Sequence, residues 1–174
     1  MNLNSIKSKK SLKILTLLIT ALLIATASAQ VYRYMYISGT VSISSTGLKW
    51  VLGEEAPAGS SITGSTVTLS LPISNGTLAN FTHVLYLENL DASTHSLTVA
   101  ITDAADPSLY ETNGFNMTIS YNATGTFIDK LDVTTTDSYS GSITDTDVWE
   151  MSFEIYTTPT ASGDDPFTVQ VTYE

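Results

Sequence analysis

From Thr40 onward the chain is built of short runs in which apolar and polar residues alternate. Thr40 to Ser44 turns Val41 and Ile43 one way and Thr40, Ser42 and Ser44 the other, the period-two pattern of a half-buried strand. The same alternation recurs from Thr66 to Ile73 (Val67, Leu69, Leu71, Ile73 inward) and from Ser96 to Thr102 (Leu97, Val99, Ile101). It returns from Phe115 to Tyr121, and again from Val148 to Tyr156, where Trp149, Met151, Phe153 and Ile155 face Glu150, Ser152 and Glu154. The last strand places Phe167, Val169, Val171 and Tyr173 inward. Phe81 to Leu90 is apolar almost throughout and reads as a central strand covered on both faces. Leu48 to Leu52 and Thr126 to Val133 are weaker strands.

Between these runs, Glu54 to Ser65 reads as a loop and Asn75-Gly76 as a turn. Asp103 to Asn113 reads as a loop or a single helical turn, Thr134 to Thr146 as a polar linker, and Gly163 to Pro166 as a turn. Roughly eight to ten strands at intervals of about ten residues, with no amphipathic helix, predict an all-β protein. The expected architecture is an antiparallel β-sandwich of jelly-roll type, in one domain over residues 39–174.

The segment ahead of that domain has a different pattern. Val31, Met35 and Ile37 share one face with Arg33, and Tyr32, Tyr34 and Tyr36 share the other. A strand apolar on one face and aromatic on the other wants cover on both sides, yet it stands at a terminus. Two readings stay open: a terminal strand of the chain's own sheet, or a strand added to a neighbouring molecule and hinged at Ser38-Gly39. On the second reading, Gln30 to Ile37 is expected to project from an isolated chain or to pack loosely.

Residues 1–29 read as a secretory leader. Lys7, Lys9, Lys10 and Lys13 form a basic region, Ile14 to Ala25 an apolar core, and Ala27-Ser28-Ala29 a cleavage site, with Ala25-Thr26-Ala27 as a near alternative. The mature chain is therefore expected to be secreted and free of the membrane. It keeps Arg33, Lys49 and Lys130 against all 17 acids, a net charge of −14. Such a surface excludes nucleic acid as a partner. There is no cysteine, so stability must come from the core, from glycans or from assembly.

Catalytic chemistry is sparse, and the expectation is that the chain is not an enzyme. The two histidines, His83 and His95, form no zinc motif, and no nucleophile elbow or phosphate loop occurs. His83, inside an apolar run, reads as a packed side chain. No cofactor is implied, but two acidic loop clusters, Asp103/Asp106 with Glu111 and Asp145/Asp147, are candidate calcium ligands. Trp50 and Trp149 could form a sugar platform, although the alternation around Trp149 favours the core. Four sequons, at Asn75, Asn80, Asn116 and Asn122, are candidate glycan acceptors. The alternation turns Asn116 outward and sets Asn75 and Asn122 at strand ends.

Three blocks resemble the TasA/camelysin-like filament proteins: Ser38 to Ile43; Leu85 to Asn89 with Ser96 to Ile101; and Asp147 to Glu154 with the closing Phe167 to Tyr173 strand. The sequons, the missing cysteine and the Ser/Thr/Tyr-rich composition are most similar to the archaeal bundling pili and surface threads. The resemblance implies a jelly-roll subunit that polymerises with itself by donor-strand complementation and bundles with neighbouring filaments. Residues 30–38 would be the donor strand, and Val31, Tyr32, Tyr34, Met35, Tyr36 and Ile37 would make the subunit joint. A secreted carbohydrate- or cation-binding module on the cell surface is the alternative.

Overall fold

The computed structural model describes residues 34–43 and 47–173, which form eleven strands. In chain order they are β1 (Tyr34–Ile43), β2 (Leu48–Leu52), β3 (Ser61–Thr63), β4 (Thr66–Ser74), β5 (Leu78–Asn89) and β6 (His95–Asp103). After a short 3-10 turn, Pro107–Leu109, come β7 (Tyr110–Tyr121), β8 (Phe127–Asp132), β9 (Ser138–Ile143), β10 (Val148–Thr157) and β11 (Gly163–Tyr173). One sheet has the order β3-β4-β1-β11-β6-β9 and the other β2-β5-β10-β7-β8. The protein is an all-β sandwich. Every pairing among the described strands is antiparallel except β1 with β11, which is parallel.

The alternating positions meet between the sheets. Val67, Leu69, Leu71 and Ile73 of β4, Leu97, Val99 and Ile101 of β6 and Phe167, Val169 and Val171 of β11 are all buried. They face Leu85 and Leu87 of β5, Phe115, Met117 and Ile119 of β7 and Trp149, Met151, Phe153 and Ile155 of β10. Phe115, Phe153 and Phe167 form an aromatic knot, with ring centroids 5.2 to 6.4 Å apart. Each buried aliphatic or aromatic side chain contributes about 1.5–3 kcal/mol, so period-two burial on both sheets supplies the main stabilisation.

Four stretches differ from expectation, each for a local reason. The loop 54–65 contains β3, and the polar linker 134–146 contains β9. Both are sheet edges, where polar side chains are tolerated and the apolar signal thins to Ile62 or to Tyr139 and Ile143. Gly163 to Pro166 belongs to β11 rather than to a turn. β5 is interior to its sheet, but it is not covered on both faces: Tyr86 and Glu88 are half-buried and Leu90 is exposed.

β1 runs without a break through Ser38-Gly39 and lies between β4 and β11. The compact unit takes in the whole of this strand. The expected projection or loose packing therefore does not hold for the backbone of Tyr34–Ile37, and Gln30 to Arg33 lie outside the described residues. The reason is the backbone: without β1, β4 and β11 would face each other across a gap with unpaired N–H and C=O rows. Gly39, expected as a hinge, is instead a seat. It is opposite Phe167, and a Cβ there would lie 2.3 Å from the Phe167 ring.

Candidate subunit interface

The seat of β1 has two unequal halves. Tyr34, Met35, Tyr36 and Ile37 pair with Ser74, Ile73, Pro72 and Leu71 of β4, and Met35 to Ile37 pair on the other side with Gly163, Asp164 and Asp165 of β11. Val31 and Tyr32 lie outside the described residues. β3 covers β4 over Thr66 to Thr68, and β6 covers β11 from Thr168 onward. Over Leu69–Ser74 and Gly163–Phe167, therefore, β1 is the sole ladder partner among the described strands. Pro72 and Pro166, which lack an N–H, fall in these two stretches, where prolines are tolerated because one side of the strand is unpaired.

Beneath this half lies a buried polar node. Asp165, opposite Ile37, is 6 % exposed. Its carboxylate accepts the Tyr110 hydroxyl at 2.7 Å and the Asp106 N–H at 3.1 and 3.2 Å. Burial, then the hydrogen bond to Asp165, raises the Tyr110 phenol pKa above its ordinary value. The node ties the 3-10 turn to the β11 stretch that pairs with the start of β1.

The outer faces of the two sheets differ in chemistry. Thr68 and Ser70 of β4, Ser38 and Thr40 of β1, Thr168, Gln170 and Thr172 of β11, Ser96 and Thr98 of β6 and Ser140 and Ser142 of β9 line one, a broad, mostly hydroxyl surface with Asp164 towards one end of β11. Lys49, Glu88, Lys130 and Glu154 stand on the other, where Lys130 and Glu154 pair at 3.1 Å.

His83 is not the packed core side chain expected. It lies in a bulge where β5 slips against β10 between Met151 and Phe153, with φ of +49° and a side chain 44 % exposed. Its N–H donates to the buried Glu150 carboxylate at 2.9 Å, and its Nδ1 lies 3.2 Å from both Glu150 and the Tyr86 hydroxyl. Ser152 donates to the same Glu150 oxygen at 2.9 Å. Gly53 must be glycine here, because a Cβ would lie 1.7 Å from the His83 carbonyl. The bulge explains both the left-handed histidine and the buried glutamate, which alternation alone could not reveal.

The acidic loops are spent on turns. Asp106 accepts the Ser108 N–H at 2.9 Å, and Asp147 accepts the Thr144 N–H at 3.0 Å, while Asp103 and Asp145 are exposed and Glu111 is half-buried. Among the described residues, no group of three or more His, Asp or Glu side chains is arranged to hold a metal ion. Asp91 accepts the Ser93 N–H and lies 2.9 Å from His95. Backbone donation by Ser93 to Asp91 and by Ser108 to Asp106 lowers both carboxyl pKa values below 3.8. Their stabilisation is complete above the ordinary carboxylate range and is lost as pH falls through the lowered values. Thermal melts should therefore be flat from about pH 7 to 5 and decline below about 4, less steeply in Asp106→Asn. An equal decline in the variant would remove Asp106 from the account.

Trp50 and Trp149 are 3 % and 0 % exposed, so both belong to the core and neither forms a sugar platform. The sequons divide. Asn80 and Asn122 are exposed. The Asn75 amide donates to the Ala161 carbonyl, and its Oδ1 is buried. Asn116 has the expected outward parity but is 5 % exposed, and its amide donates to the Asn113 carbonyl at 2.7 Å. That carbonyl belongs to the β7 irregularity between Tyr110 and Phe115, where Asn113 has φ of +56°. Among the described residues, no helix is long and apolar enough to cross a membrane. No family model matches the chain, and no curated protein matches it.

Proposed function

We propose that the chain is the structural subunit of an extracellular filament, of bundling-pilus or biofilm-fibre type, in which β1 of one copy completes the sheet of the next. The observation that carries this reading is the seat of β1. The strand nearest the N-terminus fills a gap between β4 and β11, and over its first half β1 is their sole ladder partner among the described strands. Moving β1 into a neighbouring copy preserves every ladder bond, so the ladder itself does not oppose exchange. Ser38-Gly39 lies inside the paired strand and so is not the pivot. The resemblance to filament proteins and the export leader support the same reading. Self-association of a chain this acidic also favours a contact face of low charge, and the mostly hydroxyl-lined sheet supplies one for bundling.

Cysteine pairing provides the test, since the chain has no cysteine of its own. Ser38 and Ser70 are directly opposite across the β1–β4 ladder. Secreted chains carrying Ser38→Cys alone, mixed with chains carrying Ser70→Cys alone, should form disulfide-linked dimers when rods assemble. The double variant should give covalent ladders. Monomers closed by an internal disulfide, with rods intact, would show that β1 stays home.

A further inference from the structure

We infer that the folded, exported chain carries N-linked glycans at Asn80 and Asn122 and none at Asn75 and Asn116, and that each sugar lies against an exposed apolar side chain. The inference rests on export and is independent of the filament reading. Glycan transfer joins the asparagine Nδ2 to the anomeric carbon of a lipid-diphosphate-linked oligosaccharide. The carbon–oxygen bond to the diphosphate breaks, the lipid diphosphate leaves with the electron pair, and the amide gives up one proton. The product keeps a single N–H on Nδ2 and needs open space around it.

Asn75 and Asn116 lack that space. The Asn75 amide is held on the carbonyl of Ala161, a residue 1 % exposed. Asn116 is buried, with its amide on Asn113 in the β7 irregularity. A sugar at either position would have to displace the backbone that holds the amide, since each Nδ2 is tied to a main-chain carbonyl in a part-buried hydrogen bond.

Asn80 and Asn122 have the space and something more. On β5, Leu78, Asn80 and Thr82 share the outer face, and Leu78 is opposite Tyr156 of β10. These two apolar side chains are 57 % and 43 % exposed, unusual for a strand pair beside a charged surface. Asn122 stands in the β7–β8 turn, its N–H fixed on the Val148 carbonyl at 2.9 Å, close in sequence to Phe127, which is 61 % exposed. Of the four large apolar side chains exposed among the described residues, two flank Asn80 on the β5–β10 ladder and a third follows Asn122 by five residues. Pyranose rings present C–H faces that pack on such groups, so the first sugars would shield them.

The test expresses the full chain behind a foreign secretory leader in an N-glycosylating host and maps glycopeptides on the folded, protease-resistant secreted fraction. Two occupied sites are expected, with Asn80→Gln and Asn122→Gln each removing one glycan and the pair yielding a bare chain. That bare chain should bind an apolar dye more strongly, whereas Asn75→Gln and Asn116→Gln should keep both glycans and melt at lower temperature. A glycan on Asn75 or Asn116 in the folded fraction, or a bare Asn80 or Asn122, would overturn the inference.

Discussion

Gly39→Val should abolish rod formation and lower the melting temperature of whatever chain is secreted. A Cβ at residue 39 would sit 2.3 Å from the Phe167 ring, and that ring cannot retreat, because Phe115 and Phe153 hold it at centroid distances of 5.2 and 5.9 Å. Overpacking of this kind costs about 1–3 kcal/mol, which is roughly 5- to 150-fold in the occupancy of the seat. The penalty is the same whether β1 comes from its own chain or from a neighbour. The variant therefore disfavours the filled seat in the closed chain and in the rod alike, against an open chain, without touching the connection or the leader. Thr40→Ser, on the outer face one residue on, should assemble normally. A compensating pair, Gly39→Ala with Phe167→Leu, should recover part of the lost assembly. Electron microscopy of the secreted protein reads all three, and rods of normal length from Gly39→Val would falsify the proposed joint.

Much of this fold is legible in the sequence wherever one face of a strand is dry and the other wet. β4, β6, β7, β10 and β11 show it, and their inward aliphatic residues, Trp149 and the phenylalanines are buried, while Tyr121 and Tyr173 at strand ends are only partly so. The signal fails where another rule replaces alternation. In β3 and β9 the strand is an edge, so little apolar surface marks it. At His83 and at Asn113 a bulge changes which residues are covered, and a left-handed backbone at a non-glycine residue carries no composition signal. The seat of β1 was half visible. Its two-faced pattern called for cover on both sides, but the identity of the covering strands is a long-range property. Gly39 shows the limit well: beside Ser38 it resembles a hinge, and only the position of Phe167, far along the chain, makes it a seat.

Tyr110→Phe should destabilise the chain by about 1.5–3 kcal/mol, the usual worth of a hydrogen bond to a charged group, despite keeping the ring. The hydroxyl is the side-chain donor to the Asp165 carboxylate, at 2.7 Å, and the carboxylate is 6 % exposed. Asp165→Ala should cost more, since it strands the buried Tyr110 hydroxyl and also removes the acceptor of the part-buried Asp106 N–H. If the two groups act as a unit, the double variant should lose less than the sum of the singles. The pH dependence gives an independent check. Because burial and Asp165 hold the Tyr110 proton above its ordinary pKa of 10.0, the folded chain binds more protons than the unfolded one in alkali. That contribution is complete below about pH 10 and is lost as pH rises beyond it. Denaturant melts of the wild type should therefore weaken above about pH 10 with a slope that Tyr110→Phe reduces, burial of Tyr86 and Tyr139 leaving the remainder. Since Asp165 lies opposite Ile37, both variants should also loosen the start of the β1 seat. Hydrogen exchange at Tyr36 to Ser38 should then quicken more than at Val41 to Ile43, and uniform quickening along the strand would separate the node from the joint.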